Sequence, residues 1–240
     1  MKYKIPKTFM GRPVKGAMER ALAKQKTKPE SPETKPEFMP DINLEGYIKL
    51  PQHNLYIAKS KSLHNLTWQN TWNELEKQNL KMPTIRQFMD FLELLRQGIQ
   101  GNPVYDAQGK QVSEQEIQQI YNEITEKRNP WRSEWLDAYF EKQGNELYIL
   151  TQNKSKREKL ESCLMKDKAP GIDLEHWLKN ATKQGLPPSN NPKGSLYYWY
   201  PKDGLVAGFS ANSDRAGLDC DGNPGDSDSV LGVRAAAQKI

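Results

Sequence analysis

The sequence predicts an α+β fold preceded by a poorly ordered basic arm. Capped, amphipathic helix patterns occupy the first half of the folded part, and period-two apolar alternation occupies the carboxy end. A lysine- and proline-rich stretch sets the first 40 residues apart from both.

The 240 residues are enough for one large domain or two small ones. Mean hydropathy is −0.87 and hydrophobic residues make up 36%. A modest core with poorly ordered segments is therefore expected. No stretch approaches the ~18 apolar residues of a membrane span. The basic amino terminus lacks the apolar region of a secretory signal, so a cytoplasmic or virion-associated location is expected. Cys163 and Cys220 are too few for a disulfide scaffold; two reduced thiols or one disulfide would both fit.

Charge is unevenly placed. Residues 1–40 hold ten Lys/Arg against four Asp/Glu, while the whole chain is +5. The basic surplus thus belongs to the arm, which suits a solvated linker, a packaging arm or contact with an anionic surface. Residues 24–40 carry four prolines and read as an extended linker, which places the domain at 41–240.

Within that domain, Tyr47–Leu50 and Leu55–Ala58 read as strands around a Pro51–Asn54 turn. Thr67 can cap a helix whose apolar face is Trp68, Trp72 and Leu75, with Asn79 ending it. Thr84 and Gln87 form a capping-box pattern ahead of Ile85, Phe88, Met89, Leu92 and Leu95, with Gly98 as the stop. Ser113 and Glu116 repeat that pattern ahead of Ile117, Ile120, Tyr121 and Ile124. A short helix is expected to begin in Pro130–Leu136, a strand at Leu147–Leu150 and an exposed charged stretch at Lys154–Lys159. Asp173 can cap a helix through Trp177 and Leu178 to a stop at Gly185, followed by loop over Pro187–Lys193.

From Leu196 the character changes. The aromatic run Tyr197–Tyr200 is strand-like, with Trp199 expected inward and Tyr198 and Tyr200 outward. Between Asp203 and Gln238 there is no lysine or glutamate, but there are six Asp and six Gly. Leu205, Ala207, Phe209 and Ala211 alternate with Val206, Gly208 and Ser210. Ala216, Leu218 and Cys220 alternate with Gly217, Asp219 and Asp221. The apolar set should face a core and the other set a surface. Asn212 and Asp214 follow the first run, and Gly222, Gly225, Asp226 and Asp228 continue the second into a loop. Gly and Asp are poor strand residues, so ordinary turn chemistry explains the loop better than the strands.

Two segments carry a family resemblance. Thr67-Trp68, followed by Met82-Pro83-Thr84-Ile85 and Phe88, resembles the helix openings of the formylglycine-generating-enzyme branch of C-type-lectin folds. Leu231-Gly232-Val233-Arg234 resembles the closing strand of that branch, and Ala207–Phe209 with Asp214–Ala216 resembles the segment before it. The match covers residues 45–97 and 195–236. It implies a C-type-lectin-like domain with two helices, a small antiparallel sheet and 98–194 as insertions. Within the branch the chain is most similar to variable proteins diversified by retroelements, whose adenine-directed mutation rewrites asparagine codons. That resemblance implies a variable ligand-binding region at 196–234. An AAC codon becomes Asp, Ser or Gly when adenine is replaced by guanine, the set found outward here; Val206 needs a transversion as well.

Competing chemistries lack their residues. Formylglycine-type oxidation needs a cysteine pair, and no second cysteine lies near Cys220. Asp219, Asp221, Asn223, Asp226 and Asp228 could supply oxygen ligands for calcium, but Pro224 and Val230 occupy the Gly and Glu positions of an EF-hand loop. Nucleophilic catalysis needs a histidine base, and His53, His64 and His176 are remote in sequence. The expectation is therefore a binding protein without catalytic residues, metal or cofactor. Its acidic, rather flat site of Tyr198, Tyr200 and the outward residues above would meet a basic or polar protein patch. A nucleic-acid partner is not expected for the folded part, and the chain would be a monomer or small homo-oligomer. A virion-associated structural role and a calcium-dependent module are the alternatives.

Overall fold

The capping residues read from sequence do start helices. A computed structural model describes residues 8–9, 12–13, 44–162, 166 and 168–238. Thr67 Oγ1 accepts the Asn70 N–H at 3.2 Å and opens α1 (Trp68–Lys77). At α2 (Ile85–Ile99), Thr84 accepts the Gln87 N–H, and the Gln87 side chain accepts the Thr84 N–H at 2.9 Å. Ser113 opens α3 (Glu114–Thr125) and Asp173 opens α4 (Leu174–Asn180). Two expected stops differ. α2 continues through Gly98. α4 ends at Asn180, and Gly185 instead lets the chain approach the backbone of Ile85 and Arg86.

The chain divides into two units, Met1–Asp41 and Ile42–Ile240. In the first, β1 (Thr8–Phe9) pairs antiparallel with β2 (Arg12–Pro13). The rest of the expected basic arm lies outside the described residues, as does Cys163.

In the second unit, β3 (Tyr47–Leu50), β4 (Leu55–Ala58) and β13 (Ala236–Ala237) form a three-stranded antiparallel sheet in the order β13-β4-β3. The main sheet is built from β5 (Arg132–Gln143), β6 (Glu146–Thr151), β7 (Lys156–Lys159), β8 (Lys168–Ile172), β9 (Leu196–Trp199), β10 (Val206–Ala211) and β11 (Ala216–Gly222). Their order is β7-β6-β5-β10-β11-β9-β8, and β12 (Leu231–Gly232) lies parallel to β5. The fold is α+β, with four α-helices among the described residues and a sheet that is larger than expected and mixed, since β9 and β11 run parallel.

Residues 98–194, expected as insertions, supply the long strand β5, which joins β10 to β6. The helix expected to begin in Pro130–Leu136 is instead the start of this strand. Its period-two pattern decides: Leu136, Ala138 and Phe140 enter the core, while Ser133 and Trp135 take the other face. The expected charged stretch is the edge strand β7, where exposed Lys156, Arg157 and Lys159 discourage further strand pairing.

One face of the sheet is covered by helices. Ala207, Phe209 and Ala211 of β10, and Ala216, Leu218 and Cys220 of β11, join Ile85, Phe88, Leu92 and Leu95 of α2 in the main core. Phe88 and Phe209 rings lie 5.3 Å apart. The opposite face is covered at one end. There Trp68, Trp72 and Leu75 of α1 form a second cluster with Trp135, Val206, Leu231 and Val233.

Candidate functional site

The rest of that face is organised by strand register into two cross-strand rows, in which Ser210, Asp219, Tyr197 and Trp199 are half-buried and Ser133, Trp135, Gly208 and Gly217 are buried, the two glycines against the expectation of a surface position. The first runs Ser133, Ser210, Gly217, Tyr197 across β5, β10, β11 and β9. The second runs Trp135, Gly208, Asp219, Trp199 across the same strands. In the second row Gly208 leaves a gap between larger neighbours, whereas in the first the space beside Gly217 is taken up by the Tyr197 backbone.

A cavity of about 310 Å³ opens where Gly208 separates Trp135 from Asp219. It is completed by Trp131, Ser133, Ser210, Gly222, Leu231 and the loop residues Asp226, Ser227 and Asp228. A second cavity of about 200 Å³ shares Trp131, Ser210 and Asp219, and adds Asn212, Arg215 and Gly217. The expected flat surface is thus a notched one.

Its polar groups are held in place. The Ser133 and Ser210 hydroxyls are 2.8 Å apart, and Ser210 hydrogen-bonds to Asp219. Burial pushes the Asp219 carboxyl up to about 6; Asp221 adds to that rise, while the Ser210 hydrogen bond and Arg215 oppose it. The Arg215 guanidinium sits 5.3 Å from the Tyr197 ring centre and 5.1 Å from that of Trp199.

The loop between β11 and β12 is tied down through backbone groups. Pro224 and Asp228 carbonyls accept the Trp68 and Asn65 N–H groups at 3.1 and 3.0 Å. Lys61 Nζ donates to the Val230 and Ser133 carbonyls at 2.8 and 3.1 Å, and burial followed by the Arg132 charge pushes its pKa down to about 8. Loop side chains also bond within the loop: Asn223 Nδ2 donates to Asp226 at 3.0 Å, Asn223 Oδ1 accepts the Gly225 N–H at 3.0 Å, and Asp228 accepts the Val230 N–H at 3.0 Å. Backbone contacts to Trp68 and Asn65 thus anchor the loop, while the Asn223 and Asp228 side chains shape its turns.

Eight expected site residues line the two cavities: Gly208, Ser210, Asn212, Gly217, Asp219, Gly222, Asp226 and Asp228. Six do not. Tyr198 is fully buried, because the β9 register turns Tyr197 and Trp199 toward the open face and Leu196 and Tyr198 inward. The expected orientation of Trp199 and Tyr198 is therefore reversed. Tyr200 is half-buried, with Lys166 Nζ 4.5 Å from its ring centre. Val206 is also buried: it lies opposite Tyr139 on the same face as Gly208, at the end that the second cluster with Trp68 and Trp72 of α1 covers. Asp214 is exposed at the β10–β11 turn, Asp221 pairs with Lys202 at 2.7 Å, and Gly225 is an exposed loop residue.

Trp131, Ser133, Trp135 and Arg215 were not expected in the site, and the first three come from the segment expected to be helical. Trp131 is 41% exposed, which is unusual for an indole. Its signal was the alternation of Ser133, Trp135, Asp137 and Tyr139 with Leu136, Ala138 and Phe140, masked by Glu134 on the inward side.

That inward charge is neutralised. Glu134 and Arg234 are fully buried and Arg132 nearly so. Arg132 pairs with Glu134; Arg234 lies 3.3 Å from Glu134 and 2.6 Å from Glu123. Burial pushes the Glu134 carboxyl up, but the two guanidinium groups outweigh it and hold it below its ordinary value. Among the described residues, no three His, Cys, Asp or Glu side chains converge as a metal site would require. No histidine lines either cavity; His53 lies elsewhere, 2.6 Å from Asp90. No helix among the described residues is long and apolar enough to cross a membrane. No family model, curated protein or solved structure matches this chain.

Proposed function

We propose that this chain is a binding protein that recognises its ligand with the uncovered face of β5, β10 and β11 and the loop after β11, and that side chains there are exchanged on a fixed framework. One observation carries the reading. Residues of the type expected from rewritten asparagine codons (Gly208, Ser210, Asp219, Gly222, Asp226 and Asp228) line one cavity, while the intervening Ala207, Phe209, Leu218 and Cys220 are core. In this reading the domain is C-type-lectin-like and belongs with the retroelement-diversified variable proteins. Support comes from the two capped helix openings at Thr67 and Thr84, and from the closing segment Leu231–Arg234, which runs beside β5 into the buried ion network. The ligand is a protein or surface group, and no catalytic step is assigned.

Randomising Gly208, Ser210, Asp219, Gly222, Asp226 and Asp228 together, with display against protein targets, tests this. Of these positions Asp226 is exposed, Ser210, Asp219, Gly222 and Asp228 are half-buried and Gly208 is buried, so tolerance should be graded: exposed substitutions move stability by about 0.5 kcal/mol and buried ones by more. A substantial fraction of library members should still unfold cooperatively, and selection should yield binders of different specificity. Gly217→Ala serves as the contrast. A Cβ there would press into the Tyr197 carbonyl, with its carbon at 2.9 Å, so this change should cost about 1–3 kcal/mol. General unfolding of the library would overturn the reading. Sequencing around the gene supplies an independent check: a near-identical repeat of the coding region for 196–234, with adenines at these positions, should lie beside a reverse transcriptase gene.

A further inference from the structure

We propose that the notch at Gly208 in this copy of the protein receives one arginine side chain from a protein partner, stacked against Trp131 and directed at Asp219. The proposal rests on the recognition surface above and names the chemistry of its occupant.

Charge complementarity argues for a cation. The cavity lining includes the carboxylates of Asp219, Asp226 and Asp228 and no lysine, arginine or histidine. Among the described residues none brings a cationic nitrogen within 4 Å of Asp219; the nearby Arg215 is drawn over Tyr197 and Trp199. Walls of low polarity around a carboxylate strengthen its attraction for an incoming positive charge.

The aromatic walls favour arginine over lysine. Trp131 is 41% exposed and is the aromatic residue among the three that both cavities share. A guanidinium can stack flat on an indole and still present its N–H edge to a carboxylate, whereas an ammonium is a strongly hydrated point charge. The depth comes from Gly208: on the second row it stands between Trp135 and Asp219 without a side chain. The hydroxyl chain Ser133–Ser210 steadies the carboxylate from beneath. Leu231 and the stem-contacting face of Trp135 would meet the arginine methylenes.

The test titrates the full chain with three capped tripeptides, acetyl-Gly-Xaa-Gly-amide, where Xaa is arginine, lysine or citrulline. Binding is followed through indole N–H signals in two-dimensional NMR, with Trp131→Phe used to assign its resonance. The arginine peptide should shift the Trp131 signal saturably in the millimolar range, and citrulline, with the same shape but no charge, should bind at least tenfold more weakly. Lysine should fall between them. Asp219→Asn should weaken the arginine peptide at least tenfold, and Gly208→Val should abolish its binding by filling the notch. Melting curves show that each variant is folded, and Trp131→Ala, at an exposed position, supplies a second loss of binding should Gly208→Val unfold.

Equal binding of citrulline and arginine, or full binding by folded Asp219→Asn, would overturn the proposal. Failure of all three peptides would overturn it too, while leaving the randomised library free to succeed. Conversely, arginine binding together with a library that unfolds would retain this notch and reject exchangeable side chains.

Discussion

Gly208 and Gly217 are indistinguishable in sequence pattern, yet the sheet gives them different duties. A Cβ at Gly208 would approach the Glu134 carbonyl at 3.3 Å, tight but local, whereas one at Gly217 would collide with the backbone of β9. The first glycine opens onto the cavity and the second leaves room for a strand. Asp137, on the same side of β5 as Trp135, shows a residue-scale effect of burial. Its Oδ2 accepts the Gln152 N–H at 2.7 Å, but burial dominates and pushes the carboxyl up to about 7 from an ordinary 3.8. The folded state therefore holds this proton more tightly than the unfolded state. Stability from the protonated group is fully present below about pH 4 and is lost as pH rises through about 7. Asp137→Asn should match the parent at pH 4 and exceed it at pH 8 by on the order of 2–4 kcal/mol. Denaturant melts at the two pH values measure this; equal differences at both would show that Asp137 is not the titrating group.

At the scale of elements, the helices were the most legible part, because a cap and its partner are three residues apart and need no tertiary context. Thr84→Ala removes one half of the α2 capping box and should cost about 1 kcal/mol, read as a lower denaturant midpoint at unchanged slope. β5 was not legible. Its first residues include Arg132 and Glu134, which enter the interior only because Glu123 of α3 and Arg234 near the carboxy end are there to meet them. The aromatic run of β9 was ambiguous for another reason. Each of Tyr197, Tyr198, Trp199 and Tyr200 suits either face, and the pairing of Leu218 with Tyr198 settles which is inward.

On the scale of the whole folded unit, the buried ion network joins distant parts of the chain. Arg234 donates to the Ala58 carbonyl at 3.2 Å and to the Lys59 carbonyl, so it links β4, α3 and β5 while standing just before β13. Removing Arg234 leaves the fully buried Glu134 with Arg132 as its remaining guanidinium partner; breaking a buried ion network in this way typically costs about 3–5 kcal/mol. Arg234→Met should therefore lower stability by that amount in equilibrium unfolding, although the residue lies outside both cavities. Loss of less than about 1 kcal/mol would show that the network contributes little.

The sequence by itself determined the α+β class, the starts of the four helices and the apolar set of β10 and β11, since periodicity and capping are local properties of the chain. It also singled out most of the residues that line the notch. Only the tertiary structure decided which of them meet, that Trp131 and Trp135 join them, that Tyr198 turns inward and that the cluster around α1 buries Val206. Those outcomes depend on strand register and on charge partners more than a hundred residues away, and neither is written into any short stretch of sequence.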